Sequence, residues 1–335
     1  MKIPQRILIF RQSSLGDVIL TLPVLTQLKK SFPESQIDFF TKSAYSDVVR
    51  FQPELSDLYT FHDSASFYSQ SKIIRAKRYD LFIDLQANLR SYYLRASLFK
   101  TKCLRYPKRR MAREMVVRRA ALKLRVDHTI RAYLKPLVAL GINITPLPPV
   151  LSVPPDAVAF ADEFLRKRNL DSFSNLLAFC PGAKHHEKKW PSDNFREVAE
   201  KLLENPSVAV LVFGEKSDSF PLAVNISNKR LTTIMDFPII QVAALMSKCR
   251  GALTNDSGLM HLANAVGAPA VAIFGPTNTR LGFGPSLPGS IVISDDVFCS
   301  PCSVHGQKPC RQPVKYCFTN ITHIRVIDTV RKILK

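Results

Sequence analysis

Nowhere in this chain of 335 residues does an apolar run approach the roughly 20 residues that a membrane-spanning helix needs. A helical integral membrane protein is therefore excluded. The opening stretch, MKIPQRILIF, has too short an apolar part and no small-residue cleavage site, so no signal peptide is expected. The chain reads as cytoplasmic, either soluble or held only at a membrane surface. Acids are scarce: 27 Asp and Glu stand against 47 Lys and Arg, a formal net charge of +20. Such an imbalance directs the chain toward an anionic partner, whether nucleic acid, phosphorylated glycolipid or the inner leaflet of a membrane. Zinc-finger spacing, an RNP-like aromatic signature and a helix-turn-helix pattern are all missing, so nucleic acid is not the expected partner. The dinucleotide fingerprint G-x-G-x-x-G is missing as well: the polar loop Arg11-Gln-Ser-Ser-Leu-Gly-Asp17 holds a single glycine, Gly16.

What is present is a repeated strand-helix grammar. Arg6 to Phe10, RILIF, is a short continuous apolar run of the kind that fills a central parallel strand, and Val18, Leu22, Leu25 and Leu28 then recur at helical spacing. Pro23 falls in the first turn of that helix or kinks it. Further units follow at Gln36 to Thr41, Ala44 to Phe51, Leu58 to Phe61 and Tyr79 to Leu85. The proline-dense stretch from Thr145 to Pro155 forbids a long helix and fits an extended linker. The grammar then restarts with a helix at Asp156 to Asn169, a strand at Asn175 to Phe179, a helix at Asn194 to Leu203 and a strand at Val208 to Phe213. A helix at Gln241 to Ser247 and a closing helix at Val326 to Leu334 complete it. Hydrophobic content of 46% supplies two cores. The expected fold is α/β, with two doubly wound parallel-sheet domains facing a cleft, residues 1–150 and 151–335. Basic residues dominate from Arg95 to Arg131, where only Glu114 and Asp127 oppose them. This segment is either a solvated helix face or the seat of an anionic ligand.

The run from Leu253 to Thr277, LTNDSGLMHLANAVGAPAVAIFGPT, is the most informative part of the second half. A buried strand ends at Asn255-Asp256-Ser257-Gly258, a helix follows with Leu259, Leu262, Ala263 and Val266 on one side, and Ala270 to Phe274 forms a second strand. A helix start at the carboxyl end of a parallel strand offers free N–H groups and a positive dipole end, hence an anion site for the N–H groups of Ser257 and Gly258. The alternative is an ordinary capped helix. Asp256, which repels a phosphate, either caps this helix or accepts hydrogen bonds from ligand hydroxyls. Two more loops return to the same edge, Pro181 to Trp190 and Gly214 to Asp218. Lys184, Lys188 and Lys189 can bring charge to phosphates, with Lys188 best placed ahead of Trp190-Pro191. Glu215 or Asp218 could take ribose or base groups. His185, His186 and His261 are too loosely arranged for a metal, and His261, on the helix, reads as a core residue.

Four of the seven cysteines, Cys299, Cys302, Cys310 and Cys317, form CSPC-x7-C-x6-C. They could hold a structural zinc, or they form a metal-free cysteine-rich loop. Cys103, Cys180 and Cys249 read as packing residues, reduced in a chain with no export signal.

SSLGDVILTLPVL near the start, CPGAK…KKWP in the middle and NDSGLMHLANAVGAPAVAIFGPT later resemble the lipopolysaccharide heptosyltransferase family, glycosyltransferase family 9. The resemblance implies the GT-B architecture, two Rossmann-like domains with the acceptor on the first and a nucleotide sugar, ADP-heptose, on the second. It implies an inverting, metal-independent transfer in which Asp17 is the general base, with helix capping as its structural alternative. Ser14 and Gly16 would sit at the acceptor, and Arg105, Lys108, Arg109, Arg110 and Arg113 would bind an anionic lipid A precursor and the inner leaflet together. Lys184, Lys188, Ser257 and Gly258 would hold the leaving diphosphate, Asp256 the donor sugar, and Glu215 and His261 would belong to the same donor site. Ala183 and Lys184 stand where family members often carry a hydroxyl residue. Two other readings stay open: another nucleotide-activated sugar on the same fold, or a catalytically silent basic scaffold for glycolipid or nucleic acid.

Overall fold

A computed structural model describes residues 3–216 and 229–334. The chain divides into two compact units: Met1–Lys108 with His128–Ser152, and Arg109–Asp127 with Val153–Lys335.

The first unit is built on β1 (Arg6–Phe10), α1 (Leu15–Ile19), α2 (Leu22–Ser31), β2 (Gln36–Lys42), α3 (Asp47–Arg50), β3 (Asp57–Phe61) and α4 (Ser64–Ala76). It continues through β4 (Leu81–Asp84), α5 (Leu89–Ser97) and β5 (Lys102–Arg105). Its five strands lie in the order β3-β2-β1-β4-β5 and are all parallel. Parallel strands covered on both faces must be apolar along their length, and β1 is, with Ile7, Leu8, Ile9 and Phe10 fully buried. Phe10, Phe40, Phe61 and Phe67 close one face in an aromatic cluster with ring centroids 5.1–6.1 Å apart. Pro23 lies at the start of α2, which resolves its reading in favour of the first turn.

Basic helix α6 (Arg110–Arg118) groups with the second unit, whereas α7 (Thr129–Leu134) returns to the first. The basic run expected at 95–131 is thus divided: residues up to 108 and from 128 lie in the first unit, 109–127 in the second.

The second unit contains α8 (Pro155–Lys167), β6 (Asn175–Cys180), α9 (Ser192–Leu203), β7 (Val208–Gly214), β8 (Leu231–Met235), α10 (Ile239–Ser247), β9 (Gly251–Asn255) and α11 (Gly258–Ala265). After these come β10 (Ala270–Phe274), β11 (Ile291–Ser294), α12 (Tyr316–Thr319) and α13 (His323–Leu334). Its six strands run parallel in the order β11-β10-β9-β6-β7-β8. Trp190 and Phe195 anchor its core, with ring centroids 5.2 Å apart and the indole 1% exposed. Both sheets reverse their strand order at one place, between β1 and β4 in the first and between β6 and β9 in the second. In open parallel sheets that is where two loops diverge at the carboxyl edge and leave a crevice for a ligand.

Candidate functional site

At the switch point of the first sheet, the loops after β1 and β4 are stitched together. Arg11 Nη1 donates to the carbonyl of Leu85 at 2.6 Å and the Gln12 N–H to Gln86 Oε1 at 3.0 Å. Arg11, only 6% exposed, also pairs its Nη2 with Asp17 Oδ2 at 2.9 Å, and its guanidinium lies 5.2 Å from the centre of the Tyr133 ring. Asp17 is the third residue of α1. Its Oδ2 further accepts from the Ser14 hydroxyl at 3.1 Å and the Ser14 N–H at 3.3 Å, and its Oδ1 accepts from Tyr133 Oη at 2.8 Å. Burial would raise the Asp17 pKa. The Arg11 charge, then the hydrogen bonds from Tyr133 and Ser14, carry it net below the ordinary carboxylate value. Asp17 is therefore an ionised carboxylate at neutral pH, with 24% of its side chain still open to solvent. Burial and the nearby Asp17 charge in turn push the Tyr45 phenol up.

Gly16 is buried beside Asp17. Arg105 is committed to the fold: its Nε donates to the fully buried Asp84 at 2.7 Å and its guanidinium stacks 4.0 Å from the centre of the Tyr92 ring. Lys108 is exposed and donates to the carbonyl of Ala87 at 3.1 Å.

Arg109, Arg110 and Arg113 belong to the second unit. Arg109 pairs with Asp127 at 2.9 Å, and Arg113 lies 4.1 Å from the centre of the Phe283 ring while donating to the carbonyl of Leu281 at 3.0 Å. Arg110 is exposed at the start of α6.

The switch point of the second sheet gathers the loops after β6 and β9. Asn255, fully buried, joins them: its Oδ1 accepts from the Trp190 N–H at 3.1 Å and its Nδ2 donates to the carbonyl of Pro181 at 2.7 Å. That clamp places Lys188 over Asp256. Lys188 Nζ and Thr277 Oγ1 each stand 2.6 Å from Asp256 Oδ2, and Asp256 is 6% exposed. Ser257 is the N-cap of α11 and makes no side-chain capping bond; its Oγ is buried with no hydrogen-bond partner among the described residues. Ser257, Gly258 and Leu259 are only partly covered, so the first turn of α11 is open to solvent. A hydroxyl without a partner at an open helix start suits a phosphate oxygen. His261 is buried on α11, Lys184 is exposed on the β6 loop, and Glu215 is exposed beyond β7. Asp218 lies outside the described residues.

Cys299, Cys302, Cys310 and Cys317 line one small cavity, together with Glu187 and Lys315. Burial first, then the neighbouring sulfurs, raises the thiols of Cys302 and Cys317, the latter to about 12. All seven cysteines are free. Among the described residues no three His, Cys, Asp or Glu side chains are arranged to hold a metal ion. Cys180 and Cys249 are buried, as packing residues should be. The backbone between the two halves of this cysteine-rich stretch passes close beside the lysine, with no room for a side chain between: a Cβ added to Gly306 would stand 2.4 Å from Lys188 Cγ.

Four residues that shape these sites were not singled out in the sequence: Arg11, Tyr133, Thr277 and Gly306. Arg11 and Thr277 could have been found, since each follows the carboxyl end of a predicted strand. Tyr133 is 116 residues from Asp17 and carries no local signal.

Two parallel-sheet units, each with a polar site at its switch point, define an α/β fold of the GT-B type. The family model described as Glycosyltransferase family 9 (heptosyltransferase) matches residues 68–310, and the chain belongs to that family of glycosyltransferases. It is similar to lipopolysaccharide heptosyltransferase 1 of Pseudomonas aeruginosa, with 27% identity over 89% of this chain and 86% of the relative. Its structure is similar to that of the glycosyl transferase family 9 protein from Veillonella parvula. The TM-score is 0.82, with 25% identity, covering 100% of this chain and 98% of the other. The ADP-heptose lps heptosyltransferase II of E. coli shares the fold, with a TM-score of 0.76 and 21% identity over 98% of both chains. No helix among the described residues is long and apolar enough to cross a membrane.

Proposed function

We propose that this glycosyltransferase moves a heptose from ADP-heptose to the inner core of lipopolysaccharide, on a Kdo-lipid A or heptosyl acceptor. The transfer inverts the anomeric centre and needs no metal. The observation that carries the reading is the Asp17 carboxylate, ionised, partly open and fixed on both oxygens by Arg11, Ser14 and Tyr133. The acceptor hydroxyl oxygen bonds to the anomeric carbon as its proton passes to Asp17. The bond from that carbon to the diphosphate oxygen breaks, and ADP leaves with the electron pair. A carboxylate suits this work because the hydroxyl becomes acidic only as the new bond forms. Lys188, with the Ser257 hydroxyl and the N–H groups at the start of α11, offsets the charge that develops on the leaving diphosphate. Asp256, displaced from Lys188 by the phosphates, accepts from donor sugar hydroxyls.

The donor assignment is supported by the relatives, one of which is named for ADP-heptose. An anionic lipid acceptor at the inner face of the membrane is supported by the net charge of +20. The four cysteines line one cavity but are not arranged there as a ligand set, so a structural zinc would need them to draw together, and metal analysis of protein purified without chelator tests it. Well under one equivalent of zinc sinks that part alone.

The deciding experiment incubates purified protein with a lipid A precursor and a panel of nucleotide sugars, reading product mass. Heptosylation that is abolished by Asp17→Asn is the expected result. Turnover of a UDP-hexose with none of ADP-heptose overturns the donor, and glycolipid binding with no turnover of any donor overturns the enzyme reading.

A further inference from the structure

The face of the first unit formed by α4 and α5 presents aromatic and aliphatic side chains to solvent among predominantly positive charges. On α5, Leu89, Tyr92 and Tyr93 recur at helical spacing on the outward side and are 87%, 51% and 43% exposed. The opposite side of that helix, Ser91 and Leu94, is buried. Tyr68 of α4 extends the patch, its ring 4.9 Å from that of Tyr93 in an edge-to-face contact, and Phe99 continues it just past the end of α5 at 72% exposed. The two helices are fixed to one another: Arg90 lies over the rings of Phe61 and Phe67 and donates to Ser64 Oγ at 3.1 Å. The patch is therefore held on a rigid surface of two helices.

Its charge is predominantly positive, the exposed Asp63 that caps α4 being an acid at its edge. Neither helix contains an acid, and none occurs anywhere from residue 85 to residue 113. Lys72 and Arg75 stand exposed on the same side of α4 as Tyr68, and Arg95 and Lys100 stand exposed at the far end of α5. Solvent-exposed tyrosines, an aliphatic residue and a phenylalanine among cations are poorly suited to water and well suited to the boundary between headgroups and acyl chains. There the rings bury their apolar edges, the hydroxyls stay wet, and each cation gains from anionic lipid.

We infer that the α4–α5 face, with Leu89, Tyr92, Tyr93 and Phe99 as its apolar contacts and Lys72, Arg75, Arg95 and Lys100 as its charges, docks this chain on an anionic bilayer. This rests on the reading that the acceptor is an anionic glycolipid, and it names the surface that brings the first unit to it. The patch differs from basic helix α6, which belongs to the second unit.

The test is co-sedimentation of the full chain with vesicles of phosphatidylethanolamine and phosphatidylglycerol, against vesicles of phosphatidylcholine alone. In parallel, transfer from ADP-heptose to a water-soluble acceptor fragment is followed without vesicles. The wild type should bind only the phosphatidylglycerol vesicles, and less in high salt. Leu89→Ser/Phe99→Ser and, independently, Lys72→Glu/Arg95→Glu should each weaken binding by at least about tenfold while leaving soluble transfer unchanged. All four positions are exposed, so unchanged circular dichroism is expected. The proposal is overturned if both double variants sediment like the wild type. It is overturned equally if only Arg118→Glu/Lys123→Glu in the α6 region abolishes binding, or if Leu89→Ser/Phe99→Ser turns a dimer into a monomer, which would make a second copy the occupant. Soluble transfer without vesicle binding removes this surface alone; absence of transfer removes the functional reading beneath it.

Discussion

Lys188 Nζ stands 2.6 Å from Asp256 Oδ2, in a pair whose side chains are 15% and 7% exposed. A cation held over a buried carboxylate at the mouth of an open helix start is a charge in reserve: a diphosphate can compete for it, and Asp256 keeps Thr277 Oγ1 as a donor when it does. Lys188→Met should lower kcat by about 10²–10³, the usual loss for one preorganised group at a developing anion. It should also destabilise the fold by about 3 kcal/mol, because the buried Asp256 carboxylate keeps the Thr277 hydroxyl but loses its counter-charge. Lys188→Met/Asp256→Asn should recover most of that stability and none of the rate. Denaturation midpoints beside steady-state kinetics separate the two effects, and recovery of both together would remove Lys188 from the chemistry.

The pair of Arg11 and Asp17 makes a prediction about pH. Asp17 has a lowered pKa in the folded chain, so the stabilisation it gives is present above the ordinary carboxylate value and is lost as pH falls through its own lower value. The acidic limb of kcat/KM should accordingly lie below about 3.9, the unperturbed value, or be masked by acid unfolding. In Arg11→Gln the largest lowering influence is gone and burial acts unopposed by it, so the limb should move upward toward neutral pH. A pH profile of both proteins reads this directly; coincident acidic limbs would mean that Asp17 is not the group whose ionisation matters.

Tyr133 is the only described donor to Asp17 Oδ1, at 2.8 Å. Tyr133→Phe keeps the ring beside the Arg11 guanidinium and deletes one hydrogen bond to a charged acceptor, a change of about 1.5–3 kcal/mol in stability. Rate should fall by about tenfold through a less constrained carboxylate, with donor KM unmoved because the residues proposed to hold the donor lie in the other unit. A rise in donor KM with kcat intact would contradict this role.

How far the sequence carried these conclusions depends on what kind of signal each residue left. Central strands such as Arg6–Phe10 and Ala270–Phe274 match their expected limits, because burial on both faces forces a continuous apolar run. Edge strands β5, β8 and β11 were not anticipated: Lys102–Arg105, Leu231–Met235 and Ile291–Ser294 are half-covered, so their residues alternate or mix with polar ones. Helices α4 and α5 were missed as well, being rich in serine and tyrosine, whose helix propensity is middling. They form because Asp63 and Asn88 cap them and because Phe67 and Leu94 seal against the sheet. At the candidate sites, Asp17, Lys188 and Asp256 could be placed from the sequence on loops that follow the carboxyl ends of β1, β6 and β9. The partners that set their state could not. Tyr133 reaches Asp17 across 116 residues and Arg105 turned inward to Asp84, both products of tertiary packing that no local spacing encodes.

Gly306 tests whether the cysteine-rich stretch matters to Lys188. It has φ of +71°, and a Cβ there would stand 2.4 Å from Lys188 Cγ and 2.9 Å from Cδ. Gly141, the residue that ends the turn after α7, has φ of +76° with nothing within 4 Å of its hypothetical Cβ. Substituting alanine at either position costs the left-handed backbone, about 1–2 kcal/mol. Only Gly306→Ala must also push aside the stem of Lys188, and with it the ammonium over Asp256. Both variants should lose comparable stability from the backbone, with an added loss at 306. Gly306→Ala alone should raise donor KM or lower kcat, by about three- to tenfold if the lysine head shifts by a few tenths of an ångström. Thermal denaturation and donor titration of the two proteins side by side separate these contributions, since the φ penalty is shared and the contact with Lys188 is not. Equal kinetic effects in both variants would show that the stretch carrying the four cysteines leaves the lysine untouched.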